Sequence, residues 1–284
     1  MAAITKIYWI HTLTPLHVSR AASVSPVARE GVTKRPFISS TAVKGAWRHH
    51  FESMEKHGED LLRAAFGCFD QPNESASAGS LVVSDAHILC LPIRSFSGTL
   101  AWVTSPLLLQ RLPRHLLVAH VAEAIEALKP GEIVCCGIEE ALLRDPITGN
   151  VHFQDLVFAP RECCVAGTLA EQIAARVFSD EPARQEEFRK KFAIVPDDTF
   201  DFLCKTATEV SAAGRIDRDN KVMTTGSLRY HECFPAETIL VGIVQCDEVS
   251  SENRLSAEEL MKHFCSKELT VYMGAQTGMA RDHV

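Results

Sequence analysis

The chain has 284 residues, enough for one large domain or two small ones with a substantial hydrophobic core. Hydrophobic residues make up 46% and charged residues 23% of the sequence, which excludes a mostly disordered chain. Lysine and arginine total 29 against 36 aspartates and glutamates, so the formal net charge is -7. This balance excludes a uniformly basic surface for nucleic acid but leaves room for a local basic groove.

The cysteines and the apolar runs predict the compartment. Ten cysteines are spread along the chain without any C-x-x-C pattern. The adjacent pairs Cys135–Cys136 and Cys163–Cys164 lack the gap of a zinc knuckle, so zinc would need distant ligands; ordinary buried thiols are the alternative. The first residues show no signal-peptide pattern, and no apolar run reaches the ~18 residues of a membrane span. We therefore expect a cytoplasmic protein with reduced thiols and no membrane partner.

The first part of the chain is predicted to hold a strand, a loop and a helix. Ile4–Ile10 is β-branched and aromatic, which is typical of a strand. A loop of small residues occupies Ser19–Pro26. The cluster Ser39–Thr41 is a favourable N-cap and predicts a helix over about Ala42–Lys56.

The remaining elements alternate irregularly between strands and helices. Strands are predicted at Leu81–Leu91, Thr238–Cys246 and Leu269–Met273. Helices are predicted from Pro106 to a break at Pro113, then over Arg114–Leu128, Thr168–Phe178 and Glu181–Phe192, and from the Ser256–Glu259 capping box to Phe264. The polar stretch Asp201–Tyr230 has strand–turn–strand character. This order favours an α+β fold over a doubly wound sheet.

Polar residues at the predicted helix start form the first candidate binding site. Ser39 and Ser40 stand at the cap, and Lys44 and Arg48 follow one turn apart. A helix N-terminus offers free N–H groups and the positive end of the dipole, so this group suits a phosphate. The alternative is a capped helix with a solvated basic face.

Three further signals are weaker. Gly274–Gly278 follows an apolar run and would allow close approach of another backbone, or is simply a terminal loop. Arg215–Gly226 is predicted to be an exposed hairpin, which would either be solvated or reach a polyanion or neighbouring subunit. His17, His87 and His231 are candidate acids or bases, although a lone histidine is usually structural.

Five segments recur in a characteristic order: Thr14–Val18, Pro26–Glu30, Arg35–Arg48, Gly79–Ala86 and Gly274–Gly278. Three more are Ile93–Pro106, Gly226–Leu228 and Glu232–Pro235. The first five resemble the RAMP superfamily of CRISPR proteins, and within it the backbone subunit of type III effector complexes; the other three indicate the Cmr (type III-B) form. Each segment alone is only weakly specific for the family, but the ordered set is specific and spans nearly the whole chain.

The resemblance implies one domain over residues 1–284 with a ferredoxin-like (RRM-type) core. It further implies inserted helical and β-hairpin (thumb) elements, with inserted segments around residues 94–200 and the thumb-like hairpin around 205–232. Copies are expected to assemble along a guide RNA, with target RNA and other CRISPR effector subunits as further partners. The RNA-binding residues that it implies are His17, Arg20, Arg35, Ser39, Ser40, Lys44, Arg48, Arg215, Met223, Gly274, Gln276 and Thr277. Met223 is the candidate wedge between bases.

The chain departs from the family at the position of its slicing aspartate. That residue normally stands two places before the proline that is Pro26 here, where this sequence has Val24, followed by Ser25. Metal-assisted cleavage needs an anionic oxygen ligand, and Ser19–Ser25 contains no carboxylate. We therefore expect RNA binding without cutting and no bound cofactor, with a divalent metal only if the subunit slices.

Three alternatives stay open. The chain could be an endoribonuclease that slices target RNA with a shifted residue such as Asp85 or Asp217. It could be a stand-alone guide-processing ribonuclease with His17 or His49 as general base. It could also be an unrelated cytosolic α+β enzyme, which predicts a monomer free of RNA.

Overall fold

The computed structural model describes residues 3–18, 27–54, 58–68, 77–112, 128–135, 142–214, 216, 221–246 and 256–274. Within these residues lie seven helices: α1 (Ser40–Ser53), α2 (Glu59–Phe66), α3 (Pro106–Arg111), α4 (Cys164–Val177), α5 (Pro182–Lys191), α6 (Asp197–Thr206) and α7 (Ala257–Phe264). The same residues contain the strands β1 (Ile4–His11), β2 (Phe37–Ile38), β3 (Gly67–Cys68), β4 (Ser77–Ala78), β5 (Leu81–Val83), β6 (Ala86–Arg94), β7 (Leu100–Thr104), β8 (Glu132–Cys135), β9 (Val151–Phe153), β10 (Leu156–Glu162), β11 (Phe192–Ile194), β12 (Glu209–Ala213), β13 (Arg229–Cys233) and β14 (Ile239–Cys246).

A large mixed sheet organises the molecule. Its order is β1-β14-β6-β7-β11-β8-β10-β9, with β2 paired to β6 and β5 paired to β14. The apolar strand β14 is internal, because β1 pairs with it on one side and β5 and β6 on the other. The prediction of a central strand at Thr238–Cys246 is thus confirmed, as is the α+β class. The ferredoxin-like arrangement of the core stays a prediction.

The half of the sheet from β6 to β9 curls back on itself. Ser95, just after β6, forms a bridge with Phe153 at the end of β9. The backbone N–H of Gln154 donates to the Arg94 carbonyl at 3.0 Å and extends this contact. Buried side chains such as Trp102 and Phe192 pack within this half and against α4 and α5. The end of β6 is therefore held close to the β9–β10 turn.

The other half of the sheet carries α1, α2 and α7. Val43 and Phe51 form the buried stripe of α1, and the Phe51 ring meets Phe264 of α7 edge to face at 4.8 Å. The Tyr8 ring lies across Gly242 on the neighbouring strand, where an added Cβ would come within 2.3 Å of it. Its hydroxyl donates to the Ser84 carbonyl at 2.7 Å. This packing fixes α1 over the β1–β14 pair.

Several predicted boundaries need correction. Helix α1 begins at Ser40 instead of Ala42, because Ser39 already has the extended backbone of an N-cap residue. The predicted strand Leu81–Leu91 is two strands, since Ser84 leaves the ladder and its hydroxyl accepts the N–H of Ile243. The capping box at Ser256–Glu259 is confirmed.

Two further predictions gave the wrong type of secondary structure. The start of the predicted strand–turn–strand segment is helix α6, whose Phe200, Leu203 and Cys204 face the core at helical spacing. Leu269–Met273 alternates in burial like a strand but forms only an isolated bridge at Tyr272.

The two helices predicted over Thr168–Phe192 are confirmed as α4 and α5. Except for Leu128, the predicted helix over Arg114–Leu128 lies outside the described residues.

Candidate RNA-binding site

The N-terminus of α1 brings together hydroxyl groups and a carboxylate. Ser39 makes no side-chain cap; its hydroxyl lies 3.0 Å from that of Thr41. Instead, Asp85 accepts a hydrogen bond from the backbone N–H of Ser40 at 2.7 Å. Asp85 lies in the two-residue break between β5 and β6, and this break places the anion at the helix end. A negative charge from the protein therefore already offsets part of the helix dipole there.

The two predicted cations of α1 have different surroundings. Lys44 Nζ donates to the Leu81 carbonyl at 2.7 Å, and partial burial lowers the pKa of Lys44. Arg48 Nε donates to Glu52 at 2.6 Å, in an i,i+4 pair on the outer side of the helix. Lysine carries three N–H donors and arginine five, so a single hydrogen bond within the protein does not by itself exclude phosphate binding by either side chain. Ser39, Ser40 and Lys44 thus share one end of α1, with Arg48 one turn further along.

Arg35 lies beneath the surface. Its side chain is 1% exposed and donates to Asp201 at 2.6 Å and Asp197 at 3.0 Å, both on α6. Burial acts to lower the pKa of Arg35, but the hydrogen bonds with Asp201 and Asp197 outweigh it and raise that pKa. The guanidinium also lies 5.2 Å from the centre of the Phe200 ring. Arg35 therefore ties the segment before α1 to α6, which leads into β12.

His17 lies at the entrance of the Ser19–Pro26 loop. Its Nδ1–H donates to the Glu232 carbonyl at 2.7 Å, and its ring centre is 4.8 Å from that of His231. At the exit of the loop, the N–H of Val27 donates to the Glu232 carboxylate at 3.0 Å, and Arg29 donates to it at 2.5 Å. Both ends of the loop are thus attached to one residue of β13. Burial, together with the charges of His17 and Arg229, lowers the pKa of His231.

The predicted hairpin exposes apolar side chains. Strands β12 and β13 pair antiparallel from Glu209–Cys233 to Ala213–Arg229, and a bridge joins Ile216 to Met223. The Met223 side chain is 47% exposed and packs on Gly214, where an added Cβ would lie 2.9 Å from it. The described part of the hairpin therefore exposes several apolar side chains, among them Val210, Ile216 and Val222.

The remaining predicted contacts lie at or beyond the edges of the described chain. Gly274 has φ 131°, a backbone conformation that favours glycine. Arg20, Arg215, Gln276 and Thr277 lie outside the described residues, as do Val24, Ser25 and Asp217. The geometry consequently bears on His17, Arg35, Ser39, Ser40, Lys44, Arg48, Met223 and Gly274 alone.

Two carboxylates have partners that sequence reasoning missed. Glu30 accepts hydrogen bonds from His87 at 2.8 Å and Arg111 at 2.7 Å, as well as from Thr33. Burial acts to raise the pKa of Glu30, but the bonds from Thr33, Arg111 and His87 lower it. Glu232 begins the motif Glu232–Pro235, and nothing in the sequence around it indicates a contact with the distant Val27. Such pairs have no local signal, because their partners meet only after folding.

The described residues contain no group of three or more His, Cys, Asp or Glu side chains that could hold a metal ion. Within the described part of the chain, no disulfide involves any of the cysteines Cys90, Cys135, Cys163, Cys204, Cys233, Cys246 and Cys265. Among the described helices, none combines the length and apolar character needed to cross a membrane.

Sequence comparison with known proteins identifies the family of this chain. A profile described as the RAMP superfamily matches residues 9–278, so the chain belongs to the RAMP superfamily. It is 30% identical over 255 residues to the protein named CRISPR system Cmr endoribonuclease Cmr4 from Pyrococcus furiosus, covering 87% of this chain and 83% of that protein. These matches confirm the family that the sequence motifs predicted.

Solved structures share the fold. Oligomeric Cmr4 from Pyrococcus furiosus superposes with a TM-score of 0.70 at 21% identity, covering 98% of this chain and 95% of that chain. A chain in the type III-B Cmr-beta complex bound to cognate target RNA gives a TM-score of 0.69 at 16% identity, covering 99% and 95%. The described part of the chain therefore shares the fold of these Cmr4 and Cmr-complex chains.

Proposed function

We propose that this chain is an RNA-binding backbone subunit of a type III-B CRISPR effector complex in antiviral defence. Copies of it assemble along the guide RNA and hold the guide–target duplex beside other effector subunits. The observation that carries the proposal is the match to Cmr4, which extends over 87% of the chain at 30% identity. The fold shared with oligomeric Cmr4 and with a target-bound Cmr complex agrees with it.

The end of α1 suits a guide whose sequence varies. Such a ligand is held through its sugar–phosphate backbone, whereas target choice passes to base pairing. The hydroxyls of Ser39 and Ser40 and the cations Lys44 and Arg48 are groups that bind phosphates without reading bases. Because Asp85 offsets the helix dipole, these side chains would supply most of the attraction. Arg35 is left out of the proposed interface because it is buried.

The β12–β13 hairpin suits contact with bases instead of phosphates. Met223 is about half exposed, packs on Gly214 and forms a bridge with Ile216. An apolar wedge of this kind can separate stacked bases at an energetic cost of a few kcal/mol per step. We propose that the hairpin contacts the guide–target duplex while the end of α1 holds the guide backbone.

We propose further that the subunit does not cut RNA. Residues Ser19–Ser25 contain no carboxylate, and Val24 occupies the place of the family's aspartate. The carboxylates of Glu30, Asp85 and Glu232 each accept hydrogen bonds from the protein, which disfavours all three as replacement metal ligands. Because Ser19–Ser25 contains no carboxylate, this loop offers a divalent ion no anionic ligand at the scissile phosphate.

A second candidate function is slicing of target RNA. The relative from Pyrococcus furiosus is named an endoribonuclease, and His17 and His231 are paired beside the loop. In that case a divalent metal would be the cofactor. Guide processing by the isolated chain through His17 or His49 is the further alternative.

An in-vitro cleavage assay of the assembled complex with guide, labelled target RNA and Mg²⁺ or Mn²⁺ tests this proposal. We expect the target to be bound and to stay intact. A complex assembled with Val24→Asp is the matched variant, and we expect it to gain metal-dependent cuts. Regularly spaced cuts by the wild-type complex would refute the non-cutting proposal, and trimming of repeat RNA by the isolated chain would favour guide processing.

A further inference from the structure

An exposed apolar surface lies at the carboxyl end of β6. Phe96, in the turn after this strand, is 82% exposed, and its ring centre lies 6.1 Å from that of His152. Val157 is paired with His152 across β9 and β10 and is also exposed. The exposed Leu142 lies directly under the same turn, against Gly98. We call Phe96, Leu142, His152 and Val157 the Phe96 knob.

The knob is held rigidly. The N–H of Ser95 donates to the Thr99 carbonyl at 2.9 Å, and the N–H of Phe96 donates to the His152 carbonyl at 3.1 Å. A Cβ added to Gly98 would lie 3.0 Å from the Leu142 carbonyl oxygen, so the turn fits closely against its neighbour. A fixed turn that presents a bare phenyl ring loses little conformational entropy when it docks. Rigid exposed aromatic residues are typical anchors of protein interfaces.

An apolar groove lies at the opposite, amino end of β6. A cavity of about 480 Å³ opens there, with walls of Ile88, Leu108, Leu112, Val241 and Ile243. Glu30, His87 and Arg111 stand at its rim. Cavities of this size accommodate groups larger than one phenyl side chain. We call it the β6 groove.

The charges around the two surfaces are complementary. The exposed Arg94 and Asp155 flank the knob, and Arg111 and Glu30 stand at the groove rim. Asp145 acts electrostatically on His152 of the knob, so two carboxylates stand beside the knob against one cation, whereas Arg111 and His87 at the groove share the single carboxylate of Glu30. A nucleic acid is a poorer occupant of the knob, since Asp145 and Asp155 would repel phosphates and Arg94 alone attracts them. A protein surface with an apolar pocket fits better.

We propose that the Phe96 knob of one copy docks into the β6 groove of the next copy. The knob and the groove lie at opposite ends of one strand, separated by about 8 residues or roughly 27 Å. A contact in which one copy uses one surface and the next copy uses a different surface is heterologous. Repeated without closing a ring, such a contact builds an open filament. The inference rests on the proposed function for the repeated copies along RNA, and it assigns their contact surfaces.

Sedimentation velocity of the full-length chain tests the contact, alone and with an RNA long enough for several copies. Phe96→Asp removes the knob and Ile243→Asp charges the groove. Leu13→Asp is the control, because Leu13 is an exposed apolar residue outside both surfaces. We expect wild type and Leu13→Asp to form multimers and both other variants to be monomers, with the contact weakened on the order of thirtyfold or more.

An equimolar mixture of the two variants gives the decisive result. Phe96→Asp keeps its groove and Ile243→Asp keeps its knob, so we expect the mixture to form dimers that grow no further. Multimers of either single variant like those of wild type, or a mixture that stays monomeric, would overturn the proposal. A wild-type chain that is monomeric with and without RNA would also overturn it.

Binding of a short RNA that holds one copy separates this inference from the proposed function. We expect both variants to bind it like wild type, which also shows that they are folded. A wild-type chain that forms multimers but binds no RNA would refute the proposed function and leave the knob contact standing. If Ile243→Asp fails to fold, Ile243→Ser replaces it, with the same mixing result expected.

Discussion

The end of α1 and the β12–β13 hairpin offer opposite kinds of surface. At α1, the polar groups that suit RNA already have protein partners: Ser40 with Asp85, Lys44 with Leu81 and Arg48 with Glu52. At the hairpin, Met223 is an apolar side chain that is 47% exposed. Binding at α1 therefore exchanges one set of polar contacts for another, whereas binding at the hairpin covers apolar surface.

The two regions are also mechanically linked. Arg35, just before β2 and α1, holds α6, and α6 leads directly to β12. Arg29 holds Glu232 on the second strand of the hairpin. These bonds connect α1 rigidly to the hairpin. A guide backbone bound at α1 and a duplex contacted by the hairpin would therefore be held in a fixed relation to each other.

Removal of Arg35 should have the largest effect, because it breaks the connection between the segment before α1 and α6. Arg35→Ala leaves Asp197 and Asp201 without their buried cation, and we expect a loss of about 3 kcal/mol in the free energy of unfolding. Urea denaturation measures it, and Arg35→Met separates loss of charge from loss of packing. Unchanged stability with weakened RNA binding would instead place Arg35 in the RNA interface, as the sequence predicted.

Charge reversal of Lys44 and Arg48 together should be the next largest effect. We expect RNA affinity to fall about ten- to hundredfold and the dependence of binding on salt to weaken, because two phosphate contacts become repulsive. Filter binding over a salt series measures both. Lys205→Glu with Lys262→Glu is the control, since it changes net charge equally on exposed positions of α6 and α7. Equal losses in both pairs would show that only net charge matters.

Asp85→Asn sharpens the comparison with a smaller effect. The amide still accepts a hydrogen bond from Ser40 but no longer opposes a phosphate at the helix end. We expect RNA to bind about two- to fivefold more tightly at low salt, with the gain fading as salt rises. We also expect a loss of about 0.5–1 kcal/mol in stability. Unchanged RNA affinity at low salt would argue against phosphate binding at α1.

The smallest effect is a pH dependence at the base of the hairpin. The lowered pKa of His231 means that the unfolded chain, with a histidine pKa of about 6.5, takes up this proton more readily than the folded chain. The stability contributed by neutral His231 is therefore present above about pH 6.5 and falls as the pH drops towards the folded pKa. We expect the urea midpoint of His231→Gln to change less between pH 7 and pH 5.5 than that of wild type. The control His49→Gln, at an exposed position, should show the same pH dependence as wild type. Equal slopes for all three proteins would contradict this.

Short-range patterns predicted much of the fold. The apolar run of β14, the stripe of Val43 and Phe51 on α1, and the capping box at Ser256 are confirmed because each is decided by neighbours along the chain. The segment that became α6 was misjudged because its acidic residues hid the helical spacing of its buried side. The family motifs led to the correct superfamily and Cmr fold, which composition and periodicity did not reach.

What the sequence by itself determined is which residues are available: hydroxyls and cations at one helix start, no carboxylate in Ser19–Ser25, and an order of motifs shared with RAMP proteins. Only the tertiary structure decided how they are used. Asp85 meets Ser40 across 45 residues, Arg35 meets Asp201 across 166, and Glu232 meets Val27 across 205. Hydrogen bonds act over about 3 Å in space, whatever the separation along the chain, so these partners are settled by the packing of the sheet and helices.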